Sequence, residues 1–72
     1  MLDLKFALPE EIKVILEIYD INSIIISKLI DNNMKAGYHS IVWNADSHSS
    51  GVYFVKMVAG DYINTKKIVL IK

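Results

Sequence analysis

Short stretches in which apolar and polar residues alternate recur along this chain, about every ten positions, with turn-forming residues between them. The clearest stretch, 13–19, places Val14, Leu16 and Ile18 on one side and the remaining side chains on the other. Because side chains point to alternate faces of a strand, this pattern predicts β-strands with one buried face each. Branched isoleucine and valine, which favour a pleated strand, support a strand over a buried helix here.

Turn residues set the boundaries of the predicted strands, which are 4–8, 13–19, 24–30, 38–43, 51–59 and 62–71. Pro9 ends the first strand because proline has no N–H to donate to a ladder. Gly60-Asp61 predicts a two-residue hairpin turn. The polar segment 31–37 is predicted to cross between two sheets.

Two apolar stretches carry further expectations. In the third strand, Ile24 and Ile26 are predicted to share one face, and Ile25, Ser27 and Leu29 the other, so that one isoleucine is left exposed. The apolar end of the last strand, 68–71, is predicted to be covered on both faces.

A polar connection of seven residues, 44–50, lies at the centre of the chain between Trp43 and Gly51-Val52-Tyr53-Phe54. It suits two strands that meet at an edge or cross between sheets. The whole pattern predicts a single domain, 1–72, folded as a small antiparallel β-sandwich of six to seven strands. The predicted core comprises Val14, Leu16, Ile18, Ile41, Trp43, Tyr53, Val55 and Met57.

Composition excludes several classes of function. The chain has 72 residues and no cysteine, so neither a disulfide framework nor a thiolate metal site can stabilise it. Eight basic and eight acidic residues give a net charge of zero, which argues against nucleic-acid binding. The apolar run 24–26 is too short to span a membrane, and no signal peptide is expected.

The central turn contains the residue types of a hydrolase triad in Asp46, His48, Ser49 and Ser50. A triad requires these groups to converge from different directions, whereas neighbours in one short loop point apart. We therefore interpret the segment as a hydrogen-bonded polar turn and predict no catalytic residue.

Metal and cofactor sites are not expected either. Asp20 and Asn22 resemble the start of a calcium loop, but Ile24 and Ile25 stand where an oxygen ligand and a glycine belong. The two histidines, His39 and His48, are isolated from further zinc ligands. No cofactor is predicted.

Several segments follow one another in an order typical of one family. These are Phe6-Ala7-Leu8-Pro9-Glu10, 14–20, Ala36-Gly37-Tyr38-His39, Trp43-Asn44-Ala45, Ser50-Gly51-Val52-Tyr53-Phe54 and Lys66-Lys67-Ile68-Val69-Leu70. The chain resembles the C-terminal sorting domain of proteins exported by the type IX secretion system (the Por secretion system). It is similar also to the Ig-like domain of the flagellar hook-capping protein.

The resemblance implies a seven-stranded Ig-like or fibronectin III-like sandwich at the C-terminus of a larger bacterial protein, secreted or held at the cell surface after passing through the periplasm. The implied partners are the outer-membrane secretion machinery, a sortase-like protease that removes the domain, and the parent cargo domain. The domain itself is a passive address, not an enzyme. The positions that match the family pattern are Gly37, Gly51, Tyr53, Lys66, Lys67 and Lys72.

The chain departs from the family pattern where Ser23 replaces a frequent glycine and where the stretch 24–26 is more apolar. An Ig-like structural or accessory module of a surface enzyme, or a hook-cap-type module, is therefore the alternative function. The surplus of apolar residues predicts an interaction patch, covered by the parent protein or by a second copy in a homodimer. The patch residues are Ile15, Ile24 or Ile25, Val52 and Phe54.

Overall fold

A computed structural model describes residues 2–71, which form six strands and no helix. The strands are β1 (Leu2–Leu8), β2 (Ile12–Tyr19), β3 (Ile25–Met34), β4 (Gly37–Trp43), β5 (Gly51–Ala59) and β6 (Tyr62–Leu70). They form two antiparallel sheets, one with the order β3-β2-β5-β6 and one that pairs β1 with β4. The predicted all-β sandwich is confirmed, with six strands among residues 2–71 rather than the seven that the resemblance implied.

The core lies between the two sheets, where alternate side chains of each strand point inward. Val14 and Ile18 of β2 are fully buried, and Trp43 at the end of β4 is 2% exposed. Of the other predicted core residues, Leu16, Tyr53 and Val55 are buried, while Ile41 and Met57 are partly buried and pack against them. Sequence analysis did not name Leu8, Ile30, Ala45 and Ala59, which complete the buried cluster.

Strand β3 is longer than predicted and less regular. It continues through Asp31, Asn32 and Asn33, because these residues pair with β2 at a sheet edge where their side chains stay in water. Only Lys35 and Ala36 connect β3 to β4, and this short connection does cross between the sheets.

Two bulges in the β2–β3 ladder break the alternation that the sequence suggested. They lie at Leu16/Glu17 and Ile18/Tyr19. As a result Ser27 pairs with the buried Ile18, whereas Ile25 pairs with Tyr19 on the opposite face. The prediction that Ile25 and Ser27 share a face is therefore wrong.

The apolar end of β6 is also less covered than predicted. Val69 is 59% exposed and Ile71 is 84% exposed, while Ile68 and Leu70 are partly buried. Val69 pairs with Val52 on the outward side of the larger sheet, where no described residue packs over it. The expectation of cover on both faces is wrong for this reason.

Gly60 begins the turn between β5 and β6 with φ of 60°, a left-handed conformation. A Cβ at this position would also overlap the tip of the Ile12 side chain. We expect Gly60→Ala to lower the free energy of unfolding by about 1–2 kcal/mol, measured by urea denaturation. Gly60→Asn should lower the free energy of unfolding by less, because asparagine tolerates the left-handed region. Equal losses for the two variants would instead attribute the destabilisation to the overlap of the Cβ with Ile12.

Candidate functional site

The family-pattern positions do not form one cluster. Gly37 and Gly51 each begin a strand with positive φ, 119° and 154°, and Tyr53 is buried. Lys66 and Lys67 are exposed but point to opposite faces of β6, because Lys66 pairs with the buried Val55 and Lys67 with Phe54. Lys72 lies outside the described residues.

The outward side of the four-stranded sheet, here called the outer face, carries several exposed apolar side chains. Across β2, β5 and β6 its side chains form rows that follow the register of the ladders. One row is Ile15, Val58 and Ile63, here called the first patch. Two further rows form the second patch, which comprises Tyr19, Ile25, Phe54, Val52 and Val69.

Polar side chains in register separate the two patches, and this polar row comprises Lys28, Glu17, Lys56 and Thr65. The Glu17 carboxylate accepts a hydrogen bond from the Tyr19 hydroxyl at 2.9 Å and lies 3.9 Å from Lys28 Nζ. Lys28 also lies 3.5 Å from Asp31, whose other oxygen is 3.7 Å from Lys13 Nζ. Lys13, Lys28 and Asp31 are exposed, so their ion pairs contribute little to stability, whereas the Glu17 side chain is only 12% exposed.

Tyr19 joins the polar row to the second patch. Its hydrogen bond to Glu17, then desolvation and the nearby negative charge of Glu17, raise the Tyr19 pKa above the ordinary value of 10.0. The raised pKa means that the neutral phenol is favoured in the folded state. This contribution to stability is therefore present below pH 10 and is lost as the pH rises through the folded-state pKa.

The outer face combines exposed apolar side chains with charged ones. Apolar residues are half exposed or more at Ile25, Ile63 and Val69, and a charged row lies between them. Large exposed apolar patches with polar borders mark sites of interaction with proteins, membranes or ligands. The predicted patch residues Ile15, Val52 and Phe54 lie on this face partly exposed, and Ile24 and Ile25 are 57% and 50% exposed.

The polar turn 44–50 packs onto aromatic rings rather than arranging a catalytic group. The imidazole of His48 lies 5.4 Å from the Trp43 ring, and the Tyr53 ring meets Trp43 edge-on at 5.5 Å. The Tyr53 hydroxyl donates a hydrogen bond of 2.6 Å to the Ser49 carbonyl. A tyrosine at the start of a strand that bonds back to the preceding connection is the tyrosine corner of Ig-like sandwiches.

Removing this hydroxyl tests the role of the tyrosine corner. Tyr53→Phe should lower the free energy of unfolding by about 1 kcal/mol, because the Ser49 carbonyl loses its partner while the ring still packs. Tyr62→Phe is the matched control, since Tyr62 is 56% exposed. A loss for Tyr53→Phe no larger than for the control would contradict a stabilising corner.

Other candidate chemistry is accounted for within the described part of the chain. His39 stacks on Phe6 at 5.4 Å, and its Nε2 donates to the Lys35 carbonyl at 2.6 Å. The Asp20 carboxylate accepts from the backbone N–H groups of Asn22 and Ile24, which makes 20–23 a turn. Residues 2–71 contain no group of three or more potential metal ligands and no helix able to cross a membrane.

Comparison with known families identifies the domain. The family described as the secretion system C-terminal sorting domain matches residues 1–72. The chain belongs to this family. Neither a curated protein nor a solved structure matched it.

Sorting domains of this type mark proteins that are exported across the outer membrane, to be held at the cell surface or released. Membership therefore places this sorting domain in the type IX secretion route and associates it with the export machinery. The ion pairs of Lys28 with Glu17 and Asp31 were not predicted, because these residues meet only once the pairing of β2 with β3 is known.

Proposed function

We propose that this chain is the C-terminal domain of a larger secreted protein and that the type IX outer-membrane machinery recognises it in its folded form. The observation that carries this proposal is the family match over residues 1–72. The domain acts as an address and performs no catalysis. After export, a sortase-like protease separates it from the cargo.

We further propose that the export machinery recognises the domain by binding its outer face. Its first and second patches offer apolar area, and Lys67 is the family-pattern residue that lies on it. Lys66 points to the inner face, and Gly37, Gly51 and Tyr53 serve the fold, so they support recognition indirectly by holding the strands in place.

A reporter fusion tests the sorting role. Residues 1–72, fused to the C-terminus of a reporter that otherwise stays in the periplasm, should carry it to the surface of a bacterium with the type IX system. The same fusion without residues 66–72 should stay in the periplasm, because half of β6 is lost. Surface display that survives the deletion would contradict the proposal.

The outer face also suggests a covering partner when the domain is not engaged in export. The candidates are the parent cargo domain and a second copy of this chain in a homodimer. Sedimentation of the isolated domain should show self-association at high concentration if a second copy covers the face. A monomer at every concentration would exclude the homodimer and leave the parent domain.

The second candidate function is a structural or accessory Ig-like module, for example of the hook-cap type. The tyrosine corner at Tyr53 favours it, since this feature belongs to sandwiches with many roles. A reporter that remains in the periplasm despite a folded fusion would favour this module over the sorting signal.

A further inference from the structure

The smaller sheet is one strand short of an immunoglobulin constant-type sandwich, which combines sheets of four and three strands. Here β4 pairs with one edge of β1, and no residue of 2–71 pairs with the other edge. The ladder from Leu2 to Leu8 is regular, without a bulge or proline that would hinder a further strand. The free edge of β1 is therefore ready to accept a pairing strand.

Strand β6 lies opposite this free edge and is uncovered on its inner side. Tyr62 and Lys66 occupy inward positions, since they pair with the buried Ala59 and Val55. Yet Tyr62 is 56% exposed, and Lys66 is exposed as well. Inward side chains of a complete sandwich are covered by the opposite sheet, so the cover over β6 is incomplete.

A groove occupies the space between the two strands. It has a volume of about 750 Å³ and is lined by 5–8 of β1 and by Tyr62, Asn64 and Lys66 of β6, with Met57 also in its wall. An adjoining cleft of about 230 Å³ continues it towards Leu4 and Ile68. The groove runs along β1, whose seven residues span roughly 23 Å at about 3.3 Å each.

The charges in the groove differ between its two ends. Lys66 lies where the groove and the cleft join, and Glu10 and Asp61 line the opposite end. Lys66 occupies an inward position of β6 and forms no ion pair with any residue of 2–71. A ligand with a carboxylate at the lysine end would complement this arrangement.

We propose that an extended segment of another polypeptide chain adds to the free edge of β1 as a third strand of the smaller sheet. Its backbone pairs with the free N–H and C=O groups of β1. Alternate apolar side chains enter the groove over Met57 and Asn64, and a carboxylate faces Lys66. Strand addition here is independent of the sorting role proposed above, because it uses the opposite side of β6 from the outer face.

Titration with a synthetic heptapeptide tests this docking site. The probe is acetylated Glu-Thr-Val-Thr-Val-Thr-Val amide, added to the ¹⁵N-labelled chain. We expect shifted and more slowly exchanging amides in β1, with smaller shifts in β6 at Asn64 and Lys66. A peptide with proline at its central position should not bind, because proline cannot donate to the new ladder.

Matched variants locate the peptide. Asn64→Trp fills the groove and should weaken binding at least about tenfold, whereas Thr65→Trp, on the outer face, should leave it unchanged. Lys66→Glu should weaken binding of the glutamate peptide about two- to fivefold and should strengthen binding of a peptide that carries lysine in place of the glutamate. If Asn64→Trp does not fold, the change in peptide binding caused by Lys66→Glu tests whether the peptide lies in the groove.

The proposal is overturned if no β1 amide changes with peptide, or if Thr65→Trp weakens binding as much as Asn64→Trp. It is also overturned if β1 amides become protected with rising protein concentration alone, since a second copy would then occupy the edge.

Discussion

Trp43→Ala is expected to remove about 3–5 kcal/mol from the free energy of unfolding. The indole is 2% exposed and packs against both His48 and Tyr53, so truncation leaves a cavity that a small core cannot refill. A domain of 72 residues has a total stability of about 4–11 kcal/mol. The expected loss therefore ranges from about a quarter of the total stability to all of it.

Urea denaturation followed by circular dichroism measures this loss. Tyr38→Ala is the control, because Tyr38 lies on the same strand with its side chain outward and is 93% exposed. It should change the free energy of unfolding by less than about 0.5 kcal/mol. A loss below about 1 kcal/mol for Trp43→Ala would show that the two sheets do not meet at this residue.

The second large effect concerns export through the outer face. Ile63→Glu combined with Val69→Glu places one carboxylate in each patch, at positions that are 63% and 59% exposed and so tolerate charge in the free domain. If a partner buries this face during export, two unpaired carboxylates would have to be desolvated. We expect at least a tenfold fall in the fraction of fused reporter at the cell surface.

The control for this variant is Tyr38→Glu combined with Val42→Glu on the outward side of β4. The added charge is the same, and these positions are also more than half exposed, at 93% and 53%. The control should export like the unsubstituted fusion. Equal loss in both variants, with both domains folded by circular dichroism, would exclude the outer face as the surface that is read.

The alternation of apolar and polar residues and the turn residues predicted the regular strands of this fold well. The differences between prediction and structure arise from the way the strands pair. Strand β5 and the Gly60-Asp61 turn were predicted at their observed bounds, because alternation and a two-residue turn leave few alternatives. The bounds of strand β3 were not predicted correctly, because its bulges depend on how it pairs with β2. Its polar residues 31–33 were interpreted as a connection, but they pair with β2 at the edge of the sheet.

The candidate site was harder to predict than the fold for the same reason. The apolar surplus at Ile15, Val52 and Phe54 was visible in the sequence, but its division into two patches by Glu17 and Lys28 depends on the strand order. Lys66 and Lys67 are neighbours in sequence yet face opposite sides of β6. Family-pattern residues therefore cannot be treated as a single recognition surface.

If this domain is a type IX sorting signal, its export depends on the outer-membrane channel of that system. The reporter fused to residues 1–72 is expressed in a bacterium with the type IX system and in an otherwise identical strain that lacks the outer-membrane channel. The surface-exposed fraction is measured by protease accessibility on intact cells. We predict surface exposure in the first strain and retention in the periplasm in the second. Equal exposure, or retention of a folded fusion in both strains, would show that the domain is not a type IX sorting signal.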